Sequence, residues 1–197
     1  MTTDIYLVRH GQTLFNKLKK TQGFCDSPLT DLGIRQAQAA GQFFINQAIH
    51  FDAAYCSTQE RAEDTLLAMY EGSYQRSKLL KEWNFGLFEG SPTYLEPPHK
   101  AGEESHGDNF VPYGGEGVDQ VQERMTQVMT QIAKENDDKT ILAVSHAGSL
   151  YAFYLKWRRA EDKRPKFSNC CILHYRYKDG KFELIETFDP AIAIKEN

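Results

Sequence analysis

A chain of 197 residues is long enough to bury a full core, and its 41% hydrophobic and 25% charged content is that of a soluble globular domain. A formal net charge of −4 and a sequence pI near 5.9 argue against a general binder of nucleic acid or anionic membrane, which would carry a basic excess. No apolar run approaches the roughly 20 residues that span a bilayer, no signal-peptide pattern opens the chain, and Cys25, Cys56, Cys170 and Cys171 lack zinc spacing, so a reducing cytoplasm is expected.

In chain order, Ile5-Tyr6-Leu7-Val8 is an apolar run that ends abruptly in Arg9-His10-Gly11. Such a run predicts a buried parallel strand, and ligands in open α/β sheets sit beyond the carboxyl ends of such strands. Gly11 is expected to let a ligand approach the backbone. Taken alone, the stretch reads as readily as a satisfied histidine at a strand end. Thr13 to Lys20 is short and helical or looped, and Thr21 to Pro28 is a loop. Thr30 caps a helix whose apolar face runs through Ile34, Ala37, Gly41, Phe44 and Ala48 to about Ile49. Phe51 to Cys56 is a second strand. Ser57-Thr58-Gln59-Glu60 has the form of a capping box, which predicts a helix from the end of that strand to about Tyr70, with Arg61 in its first turn.

Ser77 to Leu80 is a possible third strand. Residues 91 to 115 carry Pro92, Pro97, Pro98 and Pro112 with several glycines, and so form no regular element; an insertion of this length predicts a lid or binding loop. Val118, Val121, Met125, Val128 and Ile132 mark a long amphipathic helix beginning near Glu116. Thr140 to Val144 is another apolar strand, and it too leads into a histidine, in Ser145-His146-Ala147-Gly148. Leu150, Tyr151, Tyr154 and Trp157 share a helical face, and Lys178-Asp179-Gly180 joins two strands as a hairpin. The expected fold is a single α/β domain over residues 1–197: a three-layer α/β/α sandwich with a mostly parallel sheet, an inserted lid at 91–115 and a C-terminal hairpin.

If the two histidine-ended strands are parallel neighbours, Arg9, His10, Arg61 and His146 converge at one sheet edge. Cations and imidazoles clustered in an acidic protein call for an anion, and a phosphoryl group fits best, with the helix start after Ser57 adding backbone donors. Neither a P-loop nor a dinucleotide fingerprint is present. His50, His99, His106 and His174 show no ligand spacing, so no metal site is predicted. Cys56 and Arg61 miss the spacing of a cysteine-phosphatase loop by one residue.

The ordered set Arg9-His10-Gly11, Thr13, Asn16, Gln22-Gly23, Asp26, Pro28-Leu29-Thr30, Ser57, Arg61-Ala62, Thr65, Glu82, Phe85-Gly86, Glu89-Gly90, Gly114-Gly115-Glu116 and Ser145-His146-Ala147-Gly148 closely resembles the histidine phosphatase (phosphoglycerate-mutase-like) superfamily, with a weaker echo around Asn169. The resemblance implies that His10 is a nucleophile forming a phosphohistidine, kept neutral by Arg9 and Arg61. It makes Arg9, Asn16, Arg61 and His146, with Ala147 beside it, the holders of the phosphoryl oxygens. Gln22 and Gly23 match substrate contacts, and Glu82 matches the acid that protonates the leaving group. Glu89, the local rival of Glu82, reads as structural. No cofactor or metal is implied. The expected partner is a small phosphate ester, not nucleic acid or membrane, and the oligomeric state is left open.

The family holds phosphatases and mutases. In the insertion, Lys100 is the only Lys or Arg against Glu96, Glu103, Glu104 and Asp108, and Tyr94, Phe110 and Tyr113 follow Trp83, Phe85 and Phe88. An aromatic, acid-leaning lid suits an organic phosphomonoester and hence a phosphatase. The alternatives are a phosphoglycerate mutase-type transfer, a non-catalytic phosphate sensor, and aromatics that merely pack the lid.

Overall fold

The computed structural model describes residues 2–99, 102 and 104–195. Six strands form one sheet: β1 (Thr2–Arg9), β2 (Ala53–Ser57), β3 (Gln75–Ser77), β4 (Thr140–Ser145), β5 (Ile172–Lys178) and β6 (Lys181–Phe188), in the order β3-β2-β4-β1-β5-β6. The first four run parallel, and the β5–β6 hairpin adds antiparallel at the β1 edge. The turn at Asp179-Gly180 adopts the positive φ that an Asp-Gly pair tolerates.

Period-two alternation along the central strands supplies a core on each face. Ile5, Leu7, Ile141 and Ala143 pack under α4 (Val118–Glu135) and α5 (Ala147–Trp157), against Val121, Met125, Met129, Leu150 and Phe153. Tyr6, Val8, Leu142 and Val144 face Phe44 of α2 (Asp31–Asn46) and Ala62 and Leu66 of α3 (Glu60–Met69). Each buried aliphatic side chain contributes roughly 1.5–3 kcal/mol, so the two central strands form a well-anchored platform. Among the described residues no helix is long and apolar enough to cross a membrane.

The stretch after His10, expected to be short and helical or looped, is a single helical turn, α1 (Leu14–Lys17), capped by Thr13. Other local expectations are revised. Ser77 ends β3, and Lys78–Leu80 is a 3₁₀ turn, not a strand. The Ser57–Glu60 capping box does not form. Ser57 Oγ accepts from the Gln59 N–H at 3.3 Å, Gln59 is the cap residue, and the Glu60 N–H donates instead to Asp26 Oδ2 at 2.6 Å. Gly11 is needed for a different reason. A Cβ there would stand 2.4 Å from the Gly33 carbonyl oxygen, so the absent side chain admits α2, not a ligand.

Candidate active site

Register brings the two histidines together. Arg9 of β1 pairs with Ser145 of β4, and the His10 N–H donates to the Ser145 carbonyl at 3.0 Å. His10 and His146 therefore leave adjacent strands at the same level, with ring centroids 5.2 Å apart. β2 lies on the other side of β4, so α3 begins next to them and carries Arg61 inward, fully buried.

The His10 tautomer follows from one contact. Nδ1 lies 2.7 Å from the Gly11 carbonyl oxygen, which can only accept, so Nδ1 carries the hydrogen and the Nε2 lone pair is free. Burial, then Arg61 and Arg9 beside it, hold His10 well below the ordinary imidazole value, which keeps the ring neutral at pH 7. The turn itself is pinned: the Gly11 N–H donates to Thr65 Oγ1 at 2.9 Å, and Asn169 Nδ2 donates to the His10 carbonyl at 3.0 Å. Thr65 in turn donates to the Arg61 carbonyl at 2.7 Å, which ties nucleophile and arginine into one unit.

Around that ring, buried donors remain without protein partners. Arg61 Nη1 donates to Cys25 O and Asp26 Oδ1 and Nη2 to Gly23 O, at 2.8–3.0 Å, but Nε has no partner. Arg9 Nη1 donates to Phe167 O at 2.6 Å, and its Nε is likewise unpaired. Both ring nitrogens of His146 are unpaired, and burial, followed by Arg61 and His10, holds that ring well below the ordinary imidazole value. Buried polar groups are normally satisfied, so this convergence marks a site built for an external acceptor.

Glu82 is 5% exposed and sits beside the start of α5. Its Oε1 accepts from the Trp83 and Ser149 N–H groups, each at 2.8 Å, and its Oε2 from the Gly148 N–H at 3.0 Å. Of the first-turn N–H groups of α5, that leaves Ala147 open, since Leu150 N–H bonds the His146 carbonyl. Gln59 links the halves of the site: its Nε2 donates to Gly23 O at 2.5 Å and its Oε1 accepts from the Glu82 N–H at 2.8 Å.

The remaining expected residues are placed as follows. Asn16 Oδ1 accepts from Thr13 N–H and Asn169 Nδ2, each at 3.2 Å, so its amide nitrogen is the available end. Gln22 is tied internally, accepting from Thr13 Oγ1 at 2.7 Å and donating to Ser27 Oγ at 2.9 Å. Gly23 supplies its carbonyl to Arg61 and Gln59. Glu89 accepts from the N–H groups of Gly23, Phe24, Cys25 and Phe85, a structural clamp on that loop. Burial pushes the Cys56 thiol up to about 12, which keeps it a thiol and removes it as a nucleophile. Among the described residues no group of three or more His, Cys, Asp or Glu side chains is arranged to hold a metal ion.

Sequence reasoning missed Gln59 and Arg124. Gln59 occupies a cap position that favours shorter side chains, so no local rule flags it. Arg124 was detectable: it lies on the apolar stripe of α4, three residues after Val121 and four before Val128. Of the three aromatic residues in the 91–115 insertion, only Phe110 is buried, joining the main core against Phe85 with centroids 4.8 Å apart; Tyr94 and Tyr113 are exposed, Tyr113 edge-on to Phe88. Lys100 and Glu103 of the expected charge balance lie outside the described residues. The insertion's cationic partner comes from outside it: Arg158 donates to Glu104 at 2.5 Å.

Comparison with known proteins finds similarity over nearly the whole chain. The family model described as histidine phosphatase superfamily (branch 1) matches residues 5–190. A metal-independent phosphoserine phosphatase of Arabidopsis thaliana is 32% identical over 189 residues, covering 91% of this chain and 79% of that protein. A phosphoglycerate mutase from Bacillus anthracis str. Sterne shares the fold with a TM-score of 0.82 at 22% identity, covering 96% of this chain and 94% of that one. A phosphoserine phosphatase from Entamoeba histolytica, solved in complex with 3-phosphoglyceric acid, has a TM-score of 0.74 at 25% identity, over 94% of this chain and 96% of that one.

Proposed function

The chain belongs to the histidine phosphatase superfamily, and we propose that it is a phosphomonoester hydrolase acting on a small organic phosphate through a phosphohistidine on His10. The observation that carries this reading is the fixed His10 tautomer facing unpaired Arg9, Arg61 and His146 nitrogens. In the first step the Nε2 lone pair attacks phosphorus, and the bond from phosphorus to the ester oxygen breaks with its electron pair on that oxygen. Glu82 gives that oxygen its proton, so the alcohol leaves and a carboxylate remains. Oε2, which accepts one N–H bond where Oε1 accepts two, is the oxygen freer to carry that proton. In the second step the Glu82 carboxylate takes a proton from water as the water oxygen attacks phosphorus. The P–N bond then breaks, its electron pair returns to Nε2, and free phosphate and a neutral imidazole result.

Arg9, Arg61, Asn16, His146 and the Ala147 N–H serve as the fixed donors that meet charge on the transferring group. Gln22 and Gly23 shape the substrate side of the loop, with Gln22 acting through its bonds to Thr13 and Ser27. The four free thiols support a reducing, cytoplasmic setting, which cell fractionation tests. Hydrolysis of a chromogenic aryl phosphate in chelator tests the function. Turnover in wild type and Cys56→Ser, and its loss in His10→Ala, is expected; loss only in Cys56→Ser contradicts the histidine nucleophile. Adding 3-phosphoglycerate and bisphosphoglycerate and finding isomer in place of free phosphate would make the protein a mutase. Binding of the ester without turnover in any form would make it a sensor.

A further inference from the structure

We propose that Arg124 is a positioning residue for this reaction, holding the peptide that carries Glu82 so that its proton meets the leaving oxygen. The proposal rests on the reading of Glu82 as the acid.

Glu82 does not stand on a regular element. It follows the 3₁₀ turn Lys78–Leu80 in a stretch, 81–85, with no helix or strand of its own, so no ladder holds its backbone. Side chains do that work instead. Arg124 reaches the stretch from α4 and donates from Nη1 to Leu79 O at 3.0 Å and Lys81 O at 2.6 Å, and from Nη2 to Glu82 O at 3.0 Å. Its Nε and remaining Nη2 hydrogen form a two-bond fork on the Glu116 carboxylate, at 2.8 and 3.0 Å. A guanidinium has five donors, and all five are occupied. None is left for a substrate, so the role is positioning.

Glu116 completes the frame on the far side of Glu82. Its Oε2 accepts from the Asn84 N–H at 2.9 Å, its carbonyl accepts from Trp83 Nε1 at 2.6 Å, and its N–H donates to Asn84 O at 2.9 Å. The peptide is thus fixed immediately before and after the acid. The pair is half-buried, and Arg124 stands on a stripe of α4 that otherwise carries apolar residues, where a well-packed hydrophobe would serve the core as well. Geometry at Glu82 is what the charged pair adds. Lys could not replace it in kind, because an ammonium lacks the planar fork that meets Glu116 and three carbonyls at once.

The test compares kcat/KM, which reports the phosphorylation step, for two probes. One is 2,4-dinitrophenyl phosphate, whose leaving group needs no proton. The other is glycerol phosphate, whose alkoxide does. The variants are Glu82→Gln, Arg124→Met, Arg124→Lys and Glu116→Gln. The ratio of the two values is independent of the folded fraction, and Glu116→Gln preserves shape should Arg124→Met fold poorly. Glu82→Gln is expected to lose about 10²–10⁴-fold on the alkyl ester and far less on the dinitrophenyl ester. Arg124→Met and Glu116→Gln are expected to follow the same selectivity with roughly 100-fold loss on the alkyl ester, the scale of a displacement near 1 Å. Arg124→Lys should fall between. Equal loss on both esters, or none, in the Arg124 and Glu116 variants while Glu82→Gln stays selective would overturn the positioning role alone. No selectivity in Glu82→Gln would overturn the acid assignment and, with it, this inference.

Discussion

Gly148→Ala separates activity from stability at one atom. Gly148 stands in the first turn of α5, and its N–H bonds Glu82 Oε2 at 3.0 Å. A Cβ at this position would lie 2.7 Å from Glu82 Oε1 and 3.3 Å from its Cδ. Ordinary contact begins near 3.4 Å, so the carboxylate must retreat by about 0.7 Å. The obstacle is the far end of a flexible side chain, so the fold can yield without backbone movement. Alanine is also a better helix former than glycine, by up to about 1 kcal/mol. The expected result is a thermal midpoint unchanged or slightly raised, with kcat/KM on an alkyl phosphate down about 100-fold. That loss corresponds to about 2.7 kcal/mol of transition-state stabilisation. Calorimetric unfolding and phosphate release on the same preparation check both. Activity within a few-fold of wild type would refute the claim that the carboxylate's position matters. Activity lost in proportion to a lowered midpoint would refute the local argument.

Other outcomes follow from the same contacts. Glu89→Ala strands four N–H groups of the 23–25 loop and Phe85, and should destabilise by on the order of 3 kcal/mol in urea unfolding; a change near zero would show the clamp to be idle. Arg61→Lys should lower kcat/KM by about 100-fold or more, because an ammonium cannot bridge Gly23, Cys25 and Asp26 and still offer an Nε donor; near-normal kcat/KM would exclude Arg61 as a phosphate clamp. His10 and His146 are held well below the ordinary imidazole range and His106 at about 4, whereas the unfolded chain takes up those protons near pH 6.5. The unfolded state then binds more protons as pH falls, so urea stability should decline from about pH 7 to 5. Over the same range kcat/KM, corrected for the substrate's own phosphate ionisation near 6, should show no imidazole limb. An acid limb near 6.5 would mean that His10 protonates as an ordinary histidine.

The parts legible in the sequence share one property: the signal is local. Ile5 to Val8 and Thr140 to Val144 announce buried strands by composition alone, and the polar residues that end them fall at the carboxyl edge that their parallel register aligns. The Asp179-Gly180 turn likewise carries its own geometry. Where a distant partner wins, local rules fail. Asp26, 34 residues before Glu60, takes the N–H that the Ser57 box was expected to satisfy in its own neighbourhood. Gly33 of α2, not a ligand, fills the space beside Gly11. Phe110 of the insertion and Arg158 meet their partners through tertiary packing that composition cannot order. Arg124 lies between these cases: a charge on an apolar stripe is a visible anomaly, but only the fold shows which carbonyls it serves.

The central claim is that phosphorus passes through His10. Rapid quenching of the enzyme during turnover, followed by intact-mass measurement and peptide mapping under alkaline conditions that preserve phosphoramidates, tests it most directly. The prediction is one phosphoryl group on the peptide bearing His10 in wild type and none in His10→Ala. A phosphoryl group on any other residue, or full turnover by His10→Ala, would contradict it.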